Sequence, residues 1–247
     1  MNHIIKNRLG ETLDYSFANA APENYKSGWL VILGHGVTGN KDRPVVADTA
    51  AALNAAGFDT LRFSFAGNGD SEGVFQDATI SKEVGDLESI INAASETYSK
   101  IAYIGHSMGN AVGILQAAKD QRINVLVSLA GMVDTKTFAL TEFGEVTPDA
   151  GFMWDEEDCP LSSAYMHDLC DVIVTLEPLV DCVTVPWLLI HGTADDVVLP
   201  KDTQTVESIK GDAVSSVYID GADHSFNEPT HKEAMTKAVV DWLSAQV

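Results

Sequence analysis

The chain has 247 residues, of which 45% are hydrophobic and 21% charged, and its formal net charge is −21. This length and apolar content are sufficient for one large domain around one buried core. A surface with 36 acidic and 15 basic side chains repels phosphate groups, so we expect no nucleic acid partner and no attraction to anionic membranes.

Targeting signals and disulfides are not expected from this sequence. Residues 1–17 lack the apolar core of a signal peptide, and no apolar run approaches the ~18 residues of a transmembrane helix. Cys159, Cys170 and Cys182 are odd in number and match no metal-binding spacing, so we predict free thiols in a reducing, cytoplasmic location. The strong acidity is typical either of adaptation to salt or of solubility alone.

Short apolar runs alternate with helical patterns along the chain. Two alternating runs, at residues 3–9 and 12–18, predict a hairpin around Gly10 and Glu11. Further strands are predicted at residues 29–33, 60–65, 101–104, 125–129, 187–190 and 214–219. Helices are predicted at residues 45–56, 80–98, 111–119, 203–210 and 232–245. Buried strands that alternate with helices predict an α/β fold with a doubly wound, mainly parallel sheet.

Residues 131–185 interrupt this alternation, because no strand pattern occurs among them. The segment is long for a crossover and too aromatic for a disordered loop. Its large apolar side chains are Phe138, Phe143, Phe152, Trp154, Tyr165 and Met166. We predict a small cap of helices and loops at residues 131–185, inserted into a single domain that spans residues 1–247. An ordinary crossover helix followed by an irregular loop is the alternative.

The stretch YIGHSMGN, residues 103–110, places Ser107 between Gly105 and Gly109. A strand precedes this G-x-S-x-G pattern and a helix follows it, which is typical of a turn that presents a nucleophilic serine above a sheet. Such a turn lies at a helix N-terminus, where free N–H groups favour negative charge, so the Met108 N–H is a predicted oxyanion donor. A purely structural turn is the alternative.

A nucleophilic serine requires a base, and the base requires an orienting acid. The loops after two later predicted strands contain Asp195 and Asp196, in HGTADDVV, and His224, in GADHSF. The order Ser107, Asp195, His224 is the one that this architecture uses. We prefer Asp195 to Asp196 because it lies nearer the end of its strand.

The remaining histidines are not expected to act as the base. His231 is predicted at the surface, at the start of the last helix. His35 and His191 precede glycines at strand ends and His106 follows one, and all three are predicted to pack or hydrogen-bond in loops. Asp223 is adjacent to His224 in sequence, which makes it a poor orienting acid.

The loop GHGVTGN follows the strand at residues 29–33 and is the predicted source of the second oxyanion donor, the Val37 N–H. A phosphate-binding loop is the competing interpretation of its glycines. The G-x-x-x-x-G-K-[ST] spacing is missing, however, and the negative net charge opposes it.

Five segments taken together resemble the α/β-hydrolase superfamily: GHGVTGNKD, LRFSFAGNGDSEG, GHSMG, HGTADDVV and GADHSF. They are most similar to its serine esterase branch, with monoacylglycerol-lipase-like and cinnamoyl- or feruloyl-esterase-like members. The resemblance covers nearly all of the chain outside residues 131–185 and implies the α/β-hydrolase fold. It also implies roles for five residues: nucleophile Ser107, base His224, acid Asp195, and oxyanion donors Val37 and Met108. Asn110 replaces the family's frequent second glycine, so the resemblance does not determine how the turn packs in detail.

The sequence therefore predicts a serine hydrolase that cleaves carboxylic esters through an acyl-enzyme intermediate, without a metal or cofactor. The aromatic side chains of residues 131–185 either line a pocket for short-to-medium acyl chains or aromatic acids, or form the cap's own core. The acidic side chains of residues 153–159 predict neutral substrates if they line the entrance. We expect a small-molecule ester as the partner, and a monomer or homodimer.

Two other functions remain open. The same triad cleaves thioesters or acts as an aminopeptidase, and the second would need Glu156 or Glu157 to hold the ammonium group of the substrate. A non-catalytic ligand-binding protein on a hydrolase fold would be indicated by a degenerate triad, whereas all three members are present in this sequence.

Overall fold

The computed structural model describes residues 4–247, and a seven-stranded sheet lies at its centre. The strands are β1 (Ile5–Lys6), β2 (Thr12–Leu13), β3 (Tyr15–Ala18), β4 (Trp29–Gly34), β5 (Asp59–Phe63), β6 (Lys100–His106), β7 (Ile123–Leu129), β8 (Trp187–Gly192) and β9 (Val214–Ile219). Across the sheet the order is β3-β5-β4-β6-β7-β8-β9. Strand β3 is antiparallel to β5 and the other neighbouring pairs are parallel, which confirms the mainly parallel sheet.

Helices cover both faces of this sheet, so the doubly wound prediction is confirmed. They are α1 (Pro44–Ala55), α2 (Ile80–Ser95), α3 (Met108–Ala117), α4 (Thr135–Phe143), α5 (Ser163–His167), α6 (Glu177–Val180), α7 (Lys201–Lys210) and α8 (Pro229–Ser244). Helices α1 and α8 pack together in one core, and α2 and α3 pack in the other. All five predicted helices occur, with ends that differ by a few residues.

Burial on two faces explains why the central strands are continuous apolar runs. Every residue of β4 is buried. Leu30 and Ile32 belong to one core, while Val31 and Leu33 belong to the other, as the two-residue period of a strand requires. Because β4, β6, β8 and β9 are parallel, the loops after them meet at one edge of the sheet.

The N-terminal hairpin is confirmed only in its first part. Strands β1 and β2 pair antiparallel, but the second predicted run divides, and β3 joins the main sheet instead. The Thr12 N–H donates to Glu72 Oε2 at 2.6 Å, and the Asp14 N–H donates to Ser71 Oγ at 2.8 Å. These bonds hold residues 12–14, where the predicted run divides, against the loop after β5. The first predicted run begins at His3, which lies outside the described residues.

Residues 131–185 form helical segments without a named strand, as predicted. Besides α4, α5 and α6 they contain a 3-10 turn at Met153–Asp155 and a π-helical segment at Asp168–Ile173. Phe143 lies 5.8 Å from Phe138, 4.9 Å from Trp154 and 6.3 Å from Tyr165, measured between ring centroids. Three of these rings are buried in the core to which α2 and α3 contribute, whereas Trp154 is partly exposed. The role of the segment as a cap stays a prediction.

Two further expectations concern the whole described chain. Its cysteines, Cys159, Cys170 and Cys182, are free thiols, as predicted. None of the helices within residues 4–247 combines the length and the apolar character that a membrane crossing requires.

Candidate active site

Ser107 lies in a sharp turn between β6 and α3. Its backbone has φ 54° and ψ −119°, in a region that L-residues rarely adopt and that is found at functional turns. A Cβ atom at Gly105 would lie 2.4 Å from the carbonyl group of Gly109, and one at Gly109 would lie 2.6 Å from the carbonyl oxygen of His35. The backbones approach so closely that both positions require glycine.

His224 and Asp195 are brought together by the loops after β9 and β8. His224 Nδ1 lies 2.8 Å from Asp195 Oδ2. Because the carboxylate accepts, Nδ1 carries the hydrogen, and Nε2 is left as an acceptor. Asp195 Oδ1 accepts the N–H groups of Val197 and Val198, each at 3.0 Å. Asp196 is exposed and lines a different cavity, so the geometry favours Asp195 as the acid.

The Asp195 carboxylate is stabilised in its ionised form. Burial opposes its ionisation, but hydrogen bonds from His191 and His224 outweigh burial and hold the pKa of Asp195 below its usual value. His191 Nε2 lies 3.1 Å from the same Oδ2 atom that contacts His224. A buried negative charge at this place can stabilise a protonated His224 ring during a reaction.

Ser107 and His224 line one cavity of about 360 Å³. Its other lining residues come from the loop after β4, the start of α1, the serine turn, residues 131–185 and the loops after β8 and β9: Gly36, Val37, Thr38, Gly39, Arg43, Pro44, Val45, His106, Trp154, Val197, Ser225 and Asn227. The hydrogen bonds of residues 4–247 do not include one between Ser107 and His224. Their pairing as nucleophile and base therefore stays a prediction.

The predicted oxyanion donors lie beside the serine. Met108 is the first residue of α3, so its N–H has no partner within the helix. Val37 lines the cavity, and within the described chain its N–H makes no backbone hydrogen bond. A Cβ atom at Gly36 would lie 2.9 Å from the Cβ atom of Ser107, which measures how closely this loop passes the serine.

Two other histidines of the site hold loops in place. His106 Nε2 lies 3.0 Å from the carbonyl oxygen of His224 and donates to it. His35 Nδ1 donates to the Gly36 carbonyl at 2.8 Å, and its Nε2 accepts the Phe65 N–H at 3.1 Å. Burial lowers the pKa of His35 to about 4. Burial and, to a smaller extent, the nearby His224 ring lower the pKa of His106 to about 3. Both rings are therefore neutral at neutral pH, as suits loop-packing groups.

Asp223 and His231, which were not expected to act as acid and base, do not line the cavity. Asp223 accepts the Asn227 N–H at 2.9 Å. His231 is partly buried in α8 and does not line the cavity.

Asn110 contributes a buried polar network that the sequence did not indicate. Its Oδ1 accepts a hydrogen bond from the Ser128 hydroxyl, and its Nδ2 donates to the Met132 carbonyl at 3.2 Å. The Ser128 hydroxyl oxygen also accepts from Trp187 Nε1 at 2.7 Å. The network ties the first turn of α3 to β7 and β8, and so supports the position of the serine turn.

Arg43 is a second residue that the sequence analysis missed. It lines the cavity with Ser107, and its Nη2 donates to the Thr38 carbonyl at 3.1 Å. Residues 153–159 contribute Trp154 to this cavity, and none of their described acidic side chains lines it. The condition for the neutral-substrate prediction is therefore not met. No local pattern distinguishes Arg43 from the other cations near it in the sequence.

Comparison with known proteins identifies the family. The family model described as Serine aminopeptidase, S33, matches residues 26–150. The chain belongs to this S33 family of α/β hydrolases. An uncharacterized 31.7 kDa protein from the traX-finO intergenic region of Escherichia coli is 29% identical over 146 residues, which are 58% of this chain and 50% of that protein. The chain thus spans about half the length of the curated relative it matches.

Solved structures of other proteins have the same fold. Est1E from Butyrivibrio proteoclasticus, in a structure with ferulic acid bound, superposes with a TM-score of 0.86 at 26% identity, over 99% of this chain and 98% of that chain. A monoacylglycerol lipase from Paleococcus ferrophilus superposes with a TM-score of 0.72 at 21% identity, over 95% and 99%. Both neighbours confirm the predicted fold, and the family match and Est1E agree with the predicted branch.

Proposed function

We propose that this S33-family hydrolase is a serine esterase that cleaves carboxylic esters of short-to-medium acyl chains or aromatic acids through an acyl-enzyme intermediate. One observation carries the proposal: His224 Nδ1 lies 2.8 Å from the buried Asp195, in a cavity that His224 shares with Ser107. The contact supports the ring tautomer in which Nε2 accepts the serine proton.

The proposed reaction uses the residues of the site one after another. His224 takes the proton of Ser107 as the hydroxyl oxygen attacks the ester carbonyl, and the ionised Asp195 stabilises the imidazolium. The N–H groups of Val37 and Met108 bind the oxyanion, each with a contribution of about 3 kcal/mol to the transition state. His224 then protonates the departing alcohol. Water, activated by the same histidine, releases the acid from Ser107.

The size and lining of the cavity support small substrates with an apolar part. A volume of about 360 Å³ lies near the lower end of the range for ligand pockets. Val37, Val197 and Trp154 supply apolar and aromatic lining surface. Est1E, whose chain is matched over 98% of its length, has ferulic acid bound. This likeness supports an aromatic acid as one substrate.

The family description also raises aminopeptidase activity. An aminopeptidase binds the ammonium group of its substrate, and a carboxylate is the usual partner for that charge. Of the described residues that line the cavity, none is an aspartate or glutamate, so Glu156 and Glu157 lack the required position. The guanidinium of Arg43 would repel an ammonium group. Of the two alternatives, thioester hydrolysis by the same triad fits this cavity better than aminopeptidase activity does.

Ser107→Ala tests the proposed function. The purified variant should lose hydrolysis of 4-nitrophenyl butyrate and methyl ferulate, and also labelling by a fluorophosphonate, while its circular dichroism stays that of the wild type. Ser225→Ala is the matched control, because Ser225 lines the same cavity and has no proposed role in catalysis. A wild-type protein that takes no fluorophosphonate label would indicate a non-catalytic binding protein. Faster cleavage of leucine 4-nitroanilide than of the esters would indicate an aminopeptidase.

A further inference from the structure

The cavity that contains Ser107 and His224 has a positively charged wall in a strongly acidic protein. Arg43 lines it, immediately before α1, although the chain has 36 acidic and 15 basic side chains. Within residues 4–247, no aspartate or glutamate lines the same cavity. Among the described residues that line the cavity, the only permanent charge is therefore positive, although the ionised Asp195 lies behind His224.

Arg43 differs from the cations near it, which are paired. Lys41 Nζ lies 3.1 Å from Asp14 and 2.7 Å from Asp42, and Arg62 is also bound to Asp42. Arg43 makes no ion pair with any of the described residues. Two of the three cations around this loop are thus neutralised by carboxylates, and the one that lines the cavity is not.

A backbone contact places the guanidinium beside the oxyanion loop. Arg43 Nη2 donates to the Thr38 carbonyl at 3.1 Å, and Thr38 itself lines the cavity next to Val37. This bond uses one of the five N–H donors of the planar guanidinium. The remaining donors have no side-chain partner in the described chain, and a guanidinium fork matches the two oxygens of a carboxylate.

We propose that Arg43 binds a carboxylate group of the substrate, so that the preferred substrates are esters with a second, anionic group on the acyl or the alcohol part. This proposal rests on the proposed esterase function, and it replaces the expectation of neutral esters. One cavity of about 360 Å³ contains both Arg43 and Ser107, so a single small molecule can contact both.

The net charge does not prevent this preference. Charges more than about 8 Å from a bound anion are largely screened at physiological ionic strength, whereas Arg43 would contact the anion directly. Arg43 is itself exposed, but a bidentate, charge-assisted hydrogen bond is roughly twice as strong as a neutral one. The contact with Arg43 therefore outweighs the diffuse repulsion from the acidic surface.

Two matched pairs of esters test the proposal. Monomethyl terephthalate and dimethyl terephthalate differ by a carboxylate on the acyl part. The pair 4-acetoxybenzoate and methyl 4-acetoxybenzoate differs by a carboxylate on the alcohol part. For each pair, the ratio of kcat/KM for the anionic ester to kcat/KM for the neutral ester is measured in the wild type, Arg43→Gln, Arg43→Lys and Lys237→Gln.

Arg43→Gln should lower this ratio about 10-fold in at least one pair, and the ratio cancels any loss of kcat/KM that both esters share through the lost contact with Thr38. Arg43→Lys should retain part of the preference, because it keeps the charge but not the fork. Lys237→Gln changes the net charge equally, at an exposed position of α8 that pairs with Asp241, and should leave the ratio unchanged. Equal ratios in the wild type and Arg43→Gln, for both pairs, would overturn the proposal.

A binding measurement separates this proposal from the esterase function. Calorimetry with 4-acetoxybenzoate and with monomethyl terephthalate on Ser107→Ala, with and without Arg43→Gln, requires no turnover. A Kd that rises about 10-fold on loss of Arg43 supports carboxylate binding even if the wild type hydrolyses no ester. For both ligands, an unchanged Kd or no detectable binding to Ser107→Ala overturns it even if the wild type is an active esterase.

Discussion

The Nε2 atom of His191 lies 3.1 Å from Oδ2 of Asp195, the carboxylate oxygen that also contacts His224. The same Nε2 lies 2.8 Å from the Val198 carbonyl oxygen, which can only accept, so this nitrogen carries the hydrogen. His191 Nδ1 then accepts the hydroxyl hydrogen of Thr203 at 2.8 Å. The Val198 carbonyl thus selects the ring tautomer in which His191 donates towards Asp195, and the buried Thr203 hydroxyl stabilises that tautomer.

Thr203→Val should therefore lower kcat for a neutral ester about 5-fold, the value of one hydrogen bond of about 1 kcal/mol. His191 is a positioning residue in this account, because it acts on the reaction through Asp195. Substrate contacts do not change, so we expect KM to stay within about 2-fold of the wild-type value. Steady-state kinetics on 4-nitrophenyl butyrate measures both constants.

Thr205→Val is the control for this substitution, since it makes the same change two residues later on α7. It should leave kcat at the wild-type level. A fully folded Thr203→Val protein with wild-type kcat would show that the Thr203 hydroxyl does not support the contact between His191 and Asp195.

The glycines of the serine turn predict a steric effect. In Gly109→Ala the new methyl group would lie 2.6 Å from the His35 carbonyl oxygen and 2.9 Å from that of Gly34, so the backbone must move. We expect a loss of about 1–3 kcal/mol in the free energy of unfolding. We also expect kcat to fall about 100-fold, because the Met108 N–H moves with the turn.

Urea unfolding and steady-state kinetics measure the two effects of Gly109→Ala. Gly211→Ala provides the comparison, because a Cβ atom at Gly211 meets no atom within 4 Å and only the positive φ of 52° opposes it. That variant should lose about 1 kcal/mol of stability and no activity. Equal effects of both variants on kcat would contradict the steric explanation.

Local patterns were sufficient for most of the fold. The apolar run at residues 29–33 predicts β4 because a strand covered on both faces needs apolar residues throughout. The run at residues 12–18 was wrongly predicted as one strand of a hairpin. It divides because Ser71 and Glu72, which are distant in sequence, bind its backbone N–H groups. A local pattern contains no information about such contacts.

The site was predictable where the chemistry requires a motif. Ser107 and His224 stand in such motifs and line the same cavity. The choice of Asp195 over Asp196 depends on the direction in which each side chain leaves one loop, which sequence order does not determine. Arg43 was missed for the same reason, because only the folded loop decides which of its cations faces the cavity.

Asn110, which sequence analysis treated only as a question of packing, predicts a loss of stability. In Asn110→Ala the buried Ser128 hydroxyl and Met132 carbonyl lose a partner, so we expect about 2 kcal/mol less free energy of unfolding. Asn92→Ala is the matched control, since Asn92 is exposed and accepts from Arg122 at 2.7 Å. Its loss should stay below about 0.5 kcal/mol. A loss below about 0.5 kcal/mol for Asn110→Ala as well, measured by urea unfolding, would contradict a contribution of the buried network.

His106 predicts how stability depends on pH. Burial, with a smaller contribution from His224, lowers the pKa of His106 to about 3 in the folded protein, against about 6.5 for an unperturbed histidine. Between these values the unfolded state binds the proton and the folded state does not, so stability rises with pH. The His106 contribution is complete above about pH 6.5 and is lost towards pH 3, by up to about 1.4 kcal/mol per pH unit.

His106→Gln isolates this effect, because glutamine can keep a donor near the His224 carbonyl without titrating in this range. The free energy of unfolding should fall less steeply from pH 6.5 to pH 4.5 in the variant than in the wild type. The difference between the two proteins should be constant above pH 7, where His106 is neutral in both states. The comparison is made on differences because Glu83, whose pKa burial and nearby carboxylates raise, contributes a slope of opposite sign in both proteins. Parallel stability curves across the acidic range would contradict a neutral, buried His106.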